Sequence, residues 1–150
     1  MIARIRILAL AAAALAIAAL APLPRAVADD AKPGLFVNLT TDDTWSATKA
    51  IHFAGKALAE GHKPVAIWLN VRAVYLADKK RPPHTHGLVG KSIHDMLKDF
   101  MAKGGQVVMC QACSAAAGLK QEDYIEGVVM GNWPLVSSIL FDPKVKTLAW

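Results

Sequence analysis

The chain has 150 residues, 54% of them hydrophobic and 19% charged, with a formal net charge of +5. That is enough for one domain with an apolar core of its own. The positive charge is concentrated at the start: residues 1–28 hold Arg4, Arg6 and Arg25 and no acid, so seventeen basic residues fall to fourteen against twelve acidic ones in residues 29–150. A balance so near neutrality gives no electrostatic case for nucleic acid or an anionic membrane as partner.

Residues 1–28 have the three-part pattern of an export signal. Arg4 and Arg6 form a basic start, Ile7 to Leu20 is an unbroken apolar run, and Ala26-Val27-Ala28 is a small-x-small cleavage site after the helix-breaking Pro22 and Pro24. Alanine richness, proline and the cleavage site favour a cleaved leader over an anchor. There is no twin arginine and no cysteine before Cys110, so general secretion without a lipid anchor is the expected route. The expected mature chain, residues 29–150, is a single domain, periplasmic or secreted, and free of the membrane after cleavage.

Beyond a short polar lead-in, apolar runs alternate with helical patterns. Leu35 to Leu39 reads as a first strand. Thr41, Asp42 and Asp43 offer N-caps, and Trp45, Thr48, Ile51, Ala54 and Leu58 recur at helical spacing until Gly61. Val65 to Leu69 is a second strand. Residues 70–90 are irregular and read as a long loop with at most a turn of helix, of the kind that is functional or mobile. Ser92 caps a helix with an apolar stripe of Ile93, Met96, Leu97, Phe100 and Met101, ended by Gly104 and Gly105. Gln106 to Cys110 is a third strand, followed by short helical turns at 114–118 and 121–126. Val128 to Met130 is a fourth strand, Asn132 and Pro134 open a helix, and Val145 to Trp150 is a fifth strand.

Strands that alternate with helices form βαβ units, hence a mainly parallel five-stranded sheet with helices on both faces. Continuous apolar strands fit burial on both sides. Ligands and chemistry in such sheets gather at the carboxyl ends of the strands.

Cys110 stands at that edge, at the end of the third strand and before a short helix whose N-terminus favours a thiolate. Cys113 lies within reach of it. The spacing suits a nucleophile with a resolving partner, or half of a metal site. One disulfide across two residues is no structural framework. Residue 114 is serine, against c-type haem attachment, and the pair follows the third strand, against a thioredoxin-like motif. His84 and His86 are the candidates for completing a copper or zinc site with Cys110 and Cys113; the alternative is that they are solvated loop residues. His52 and His62 read as helix-surface residues. The loop Thr40 to Thr44 has two carboxylates and no glycine, which argues against a flavin or nucleotide phosphate there. Trp45, Trp68 and Trp133 read as core or interface aromatics.

The run Gly105 to Cys113 with Ala117-Gly118-Leu119, together with Tyr124 to Val128, Leu135-Val136 and the closing Val145 to Leu148, resembles the DsrE/DsrF-like family over roughly residues 33–150. The resemblance implies a three-layer α/β/α fold of flavodoxin-related architecture, assembly into homo- or hetero-oligomers, with a homo-oligomer expected here, and sulfur relay through a persulfide on the strand-end cysteine, here Cys110. Cys113 departs from the pattern as an extra sulfur able to close a disulfide. The leading expectation is therefore a periplasmic sulfur carrier or sulfurtransferase that needs no metal or organic cofactor and exchanges sulfur with a small sulfur compound or a partner sulfur-carrier protein. The alternatives are a soft-metal module using Cys110, Cys113, His84 and His86, or a non-catalytic oligomeric interaction protein.

Overall fold

The computed structural model describes residues 32–82, 84–87 and 89–150. The leader expected at 1–28 lies outside the described residues. Five strands, β1 (Gly34–Leu39), β2 (Val65–Leu69), β3 (Gln106–Cys110), β4 (Val129–Gly131) and β5 (Val145–Ala149), form one sheet in the order β4-β3-β2-β1-β5. All four pairings are parallel.

Alternation along the strands divides the core in two. Val37, Leu39, Ile67, Leu69, Val107 and Met109 point to one face, where they pack with α1 (Thr44–Ala59) and α2 (Ile93–Ala102). Phe36, Ala66 and Val108 point to the other, where they meet Val136 and Ile139 of α4 (Trp133–Leu140). Both faces are apolar, which is why the strands read as unbroken hydrophobic runs.

The helix starts are chemically specified. The Asp43 carboxylate accepts from Ser46 N at 2.8 Å, Ser92 Oγ accepts from Asp95 N at 3.1 Å, and Asn132 Oδ1 accepts from Leu135 N at 3.0 Å. Each cap satisfies a backbone donor that the first helical turn leaves open.

Two segments differ from the sequence reading. Residues 71–77 form a 3₁₀ helix, and its Ala73, Val74, Leu76 and Ala77 are buried. Burial of these four side chains orders a stretch that lacks a clean period. Farther along, isolated bridges join Asp78 to Tyr124 and Thr85 to Ser92. The expected helix at 114–118 begins earlier: α3 spans Gln111–Ala116 and starts directly at the end of β3. The second expected turn is a 3₁₀ helix at Gln121–Asp123. Among the described residues no helix is long and apolar enough to cross a membrane.

Candidate functional site

Adjacent strands β3 and β4 send their chains to opposite faces. After β3, α3 runs to the side of α1 and α2, where its Cys113 packs against their core. After β4, α4 covers the other side. Loops diverging from neighbouring strands open a crevice at their carboxyl ends, the switch point at which open α/β sheets bind ligands. Cys110 ends β3 there, in register with Gly131 at the end of β4. With Cys113 it packs against the core on the side of α1 and α2, and it also lines the groove that Val136 of α4 walls on the other side.

Cys110 is also the N-cap of α3, and Cys113 lies in the first turn of that helix. The two sulfurs are joined in a disulfide, with Cα atoms 5.2 Å apart. Cys110 Sγ accepts from the Cys113 backbone N–H at 3.2 Å. Its carbonyl accepts from Ser114 Oγ at 2.8 Å, and the buried Tyr124 hydroxyl donates to Ser114 Oγ at 2.7 Å. Ser114 is buried, so this chain of bonds fixes the turn from strand to helix in an environment where a broken bond is costly. Burial pushes the Tyr124 phenol above its ordinary pKa, outweighing the hydrogen bond to Ser114 that acts the other way. Ser114 and Tyr124 carry no chemical signature in sequence, and their role follows from the contact alone.

A groove of about 240 Å³ opens over Cys110, walled by Trp68, Gln111, Ala112, Gly131, Asn132, Trp133 and Val136. None of these residues carries a charge. Cys113 is not among them. The indole N–H of Trp68 is buried and finds no acceptor among the described residues.

The histidines lie elsewhere. His84 lines a small cavity of about 50 Å³ with Asp42, Tyr75, Arg81 and His94. His86 is buried and meets the Trp45 ring edge-on, with centroids 4.3 Å apart. It is therefore not a solvated loop residue: the loop folds back over the start of α1. Among the described residues no three His, Cys, Asp or Glu side chains gather in a group able to hold a metal ion. The structure thus does not bring His84 and His86 together with the two cysteines. His52 is exposed on α1, as expected, whereas His62 lies past the end of that helix with Nδ1 2.6 Å from the Pro33 carbonyl oxygen. Trp68 is half-buried, but Trp45 and Trp133 are 71% and 67% exposed, so neither is a core residue. A cluster of charged groups lies at the ends of β1 and β2. There Asp42 accepts both Nε and Nη2 of Arg72 at 2.9 and 2.7 Å, and Arg81 stacks 3.6 Å from the Tyr75 ring centroid. The paired guanidinium of Arg72 holds the Asp42 carboxyl below the usual carboxylate range.

The sequence signature of the DsrE/DsrF-like family matches residues 34–139, from the first strand through the last helix. The chain belongs to the DsrE/DsrF-like family. Membership points to a role of the sulfur-relay type. Two archaeal relatives, uncharacterised proteins of Methanopyrus kandleri and Methanocaldococcus jannaschii, are 37% and 38% identical over 86 residues. Those alignments cover 57% of this chain and 67% and 71% of the relatives. Among solved structures, the ychN protein of E. coli superposes with a TM-score of 0.63 at 20% identity, over 78% of this chain and 99% of that one. A protein of unknown function from Methanobacterium thermoautotrophicum gives 0.56 at 15% identity, over 79% and 100%. These structures share the DsrE-like fold.

Proposed function

We propose that this DsrE-family protein is an exported sulfur carrier, and that Cys110 holds sulfane sulfur as a persulfide. The observation that carries this reading is the position of Cys110: at the switch point of the sheet, facing a groove, with a second sulfur one helical turn away. The export pattern of residues 1–28 supports a periplasmic location, a compartment in which a disulfide persists.

In the reduced protein the Cys110 thiolate attacks the terminal sulfur of a persulfide donor. A bond forms from Cys110 Sγ to that sulfur, the donor's S–S bond breaks, and the donor leaves as a thiolate. The Cys113 N–H that points at Cys110 Sγ and the start of α3 favour negative charge at this sulfur. An acceptor thiolate then takes the outer sulfur and returns Cys110 to the thiolate. Without an acceptor, the Cys113 thiolate attacks Cys110 Sγ, expels hydrosulfide and closes the disulfide. A dithiol reductant must open it before the next cycle.

Mass spectrometry of the reduced chain after exposure to polysulfide tests this reading. Wild type should gain sulfur and lose it as sulfide while the disulfide forms. Cys113→Ser should keep one added sulfur atom on Cys110, and Cys110→Ser should take up none. Equal uptake by Cys110→Ser, or no uptake by any form, would overturn the proposal.

A further inference from the structure

Taking Cys110 as the reacting sulfur, we infer that the groove over it receives a cysteine carried on an uncharged, apolar peptide segment of a partner protein. An anionic small-molecule thiol does not suit this groove. Its walls, Trp68, Ala112, Gly131, Trp133 and Val136 with the polar but neutral Gln111 and Asn132, provide no cation. An anion entering it gives up hydration with no compensating ion pair. The cationic side chains Arg72 and Arg81 lie at the other end of the strand edge and are committed to Asp42, Asp78 and the Tyr75 ring.

The apolar surface also runs past the groove. Trp133 is 67% exposed, and its ring meets that of Phe141, itself 69% exposed, edge-on at 6.0 Å. Val129, on the same sheet face through its register with Val108, is also half-exposed. A small thiol fills only the groove, whereas a peptide flanking the cysteine with apolar side chains also covers the aromatic rim. Single exposed apolar residues are ordinary, but a patch continuous with a reactive sulfur marks a contact surface.

The chemistry is thiol–disulfide exchange. The partner thiolate attacks Cys110 Sγ, the sulfur that faces the groove. A bond forms between the two sulfurs, the Cys110–Cys113 bond breaks, and the electron pair leaves on Cys113 Sγ as a thiolate.

The experiment uses the oxidised mature chain, residues 29–150, and three end-blocked cysteine peptides, identical except for tryptophan, glutamate or lysine flanks, with 2-mercaptoethanol as the small neutral thiol. Rates of disulfide opening are expressed per thiolate and divided by each thiol's rate on the neutral disulfide of 2-mercaptoethanol. The tryptophan-flanked peptide should exceed the glutamate-flanked peptide and the small thiol by roughly three- to tenfold, the range of an aromatic contact. The mixed disulfide should map to Cys110. Trp133→Ala should remove the advantage, and Trp45→Ala, which removes an equally exposed indole away from the groove, should leave it intact. Equal normalised rates, a faster glutamate peptide, a small thiol as fast as the tryptophan peptide, or an adduct on Cys113 would each overturn the inference. No sulfane sulfur is present in this assay. A tryptophan preference without any persulfide on Cys110 would sink the sulfur-carrier reading alone, and a persulfide without the preference would sink only the partner inference.

Discussion

Gly131 shows how much of the site depends on one missing methyl group. A Cβ there would lie 2.5 Å from Val108 Cγ1, 2.8 Å from the Met109 carbonyl oxygen and 3.1 Å from Val136 Cγ2. The carbonyl belongs to the neighbouring strand and cannot rotate away as a side chain does. Gly131→Ala should therefore push β4 and α4 from β3, at a cost of about 1–3 kcal/mol, the usual range for overpacking. Urea unfolding checks the cost. The same variant should slow disulfide opening at Cys110 by the tryptophan-flanked peptide, because Gly131 also walls the groove. Cys110 itself is legible from sequence as a strand-end cysteine. The requirement for glycine opposite it is not, because it arises from contacts with residues on β3 and α4.

At the scale of elements, α2 carries a titratable group into the interior. His94, the second residue of that helix, is 9% exposed. Burial lowers its pKa below the ordinary 6.5, Lys98 on the same helix lowers it further, and Asp95 and Asp78 oppose the shift. The folded chain thus binds this proton less readily than the unfolded chain. Between its folded pKa and 6.5 the unfolded state holds more protons, so this contribution to stability is complete above about pH 6.5 and declines as pH falls through that window. Urea midpoints of wild type measured from about pH 7.5 down to pH 5.5 should fall, and His94→Gln should flatten part of the slope. An unchanged slope in the variant would assign the pH dependence to other groups. The caps at Asp43, Ser92 and Asn132 were readable in the sequence because capping is a local bond. The 3₁₀ helix at Val71–Ala77 was not, because burial of its side chains under α2 and α3 orders it, with no repeating pattern of its own.

For the whole domain, the two packed faces of the sheet, not the disulfide, hold the fold. A bridge between residues three apart removes little freedom from the unfolded chain, about 2 kcal/mol at most on the loop-entropy estimate. Reduction should leave a single cooperative thermal transition, lowered by several degrees, and Cys110→Ser with Cys113→Ser should match the reduced wild type. Loss of cooperative unfolding on reduction would show instead that the strand-to-helix turn at Cys110 is a structural clamp. The low cost of opening the bridge suits a cysteine pair that cycles.

The sequence by itself determined the number and type of the main elements, the parallel α/β class, the family likeness and the strand-end position of Cys110. These follow from local causes: hydrophobic period, capping residues, and glycines that stop helices. Only the tertiary structure decided the strand order β4-β3-β2-β1-β5, the divergence of α3 and α4 to opposite faces, and the uncharged groove this opens over Cys110. It also separated His84 and His86 from the sulfurs and bonded Cys110 to Cys113. Such features depend on which strands pair and which helix packs on which face. Those choices are set by crossovers and core packing between residues far apart in the chain, and no local pattern encodes them.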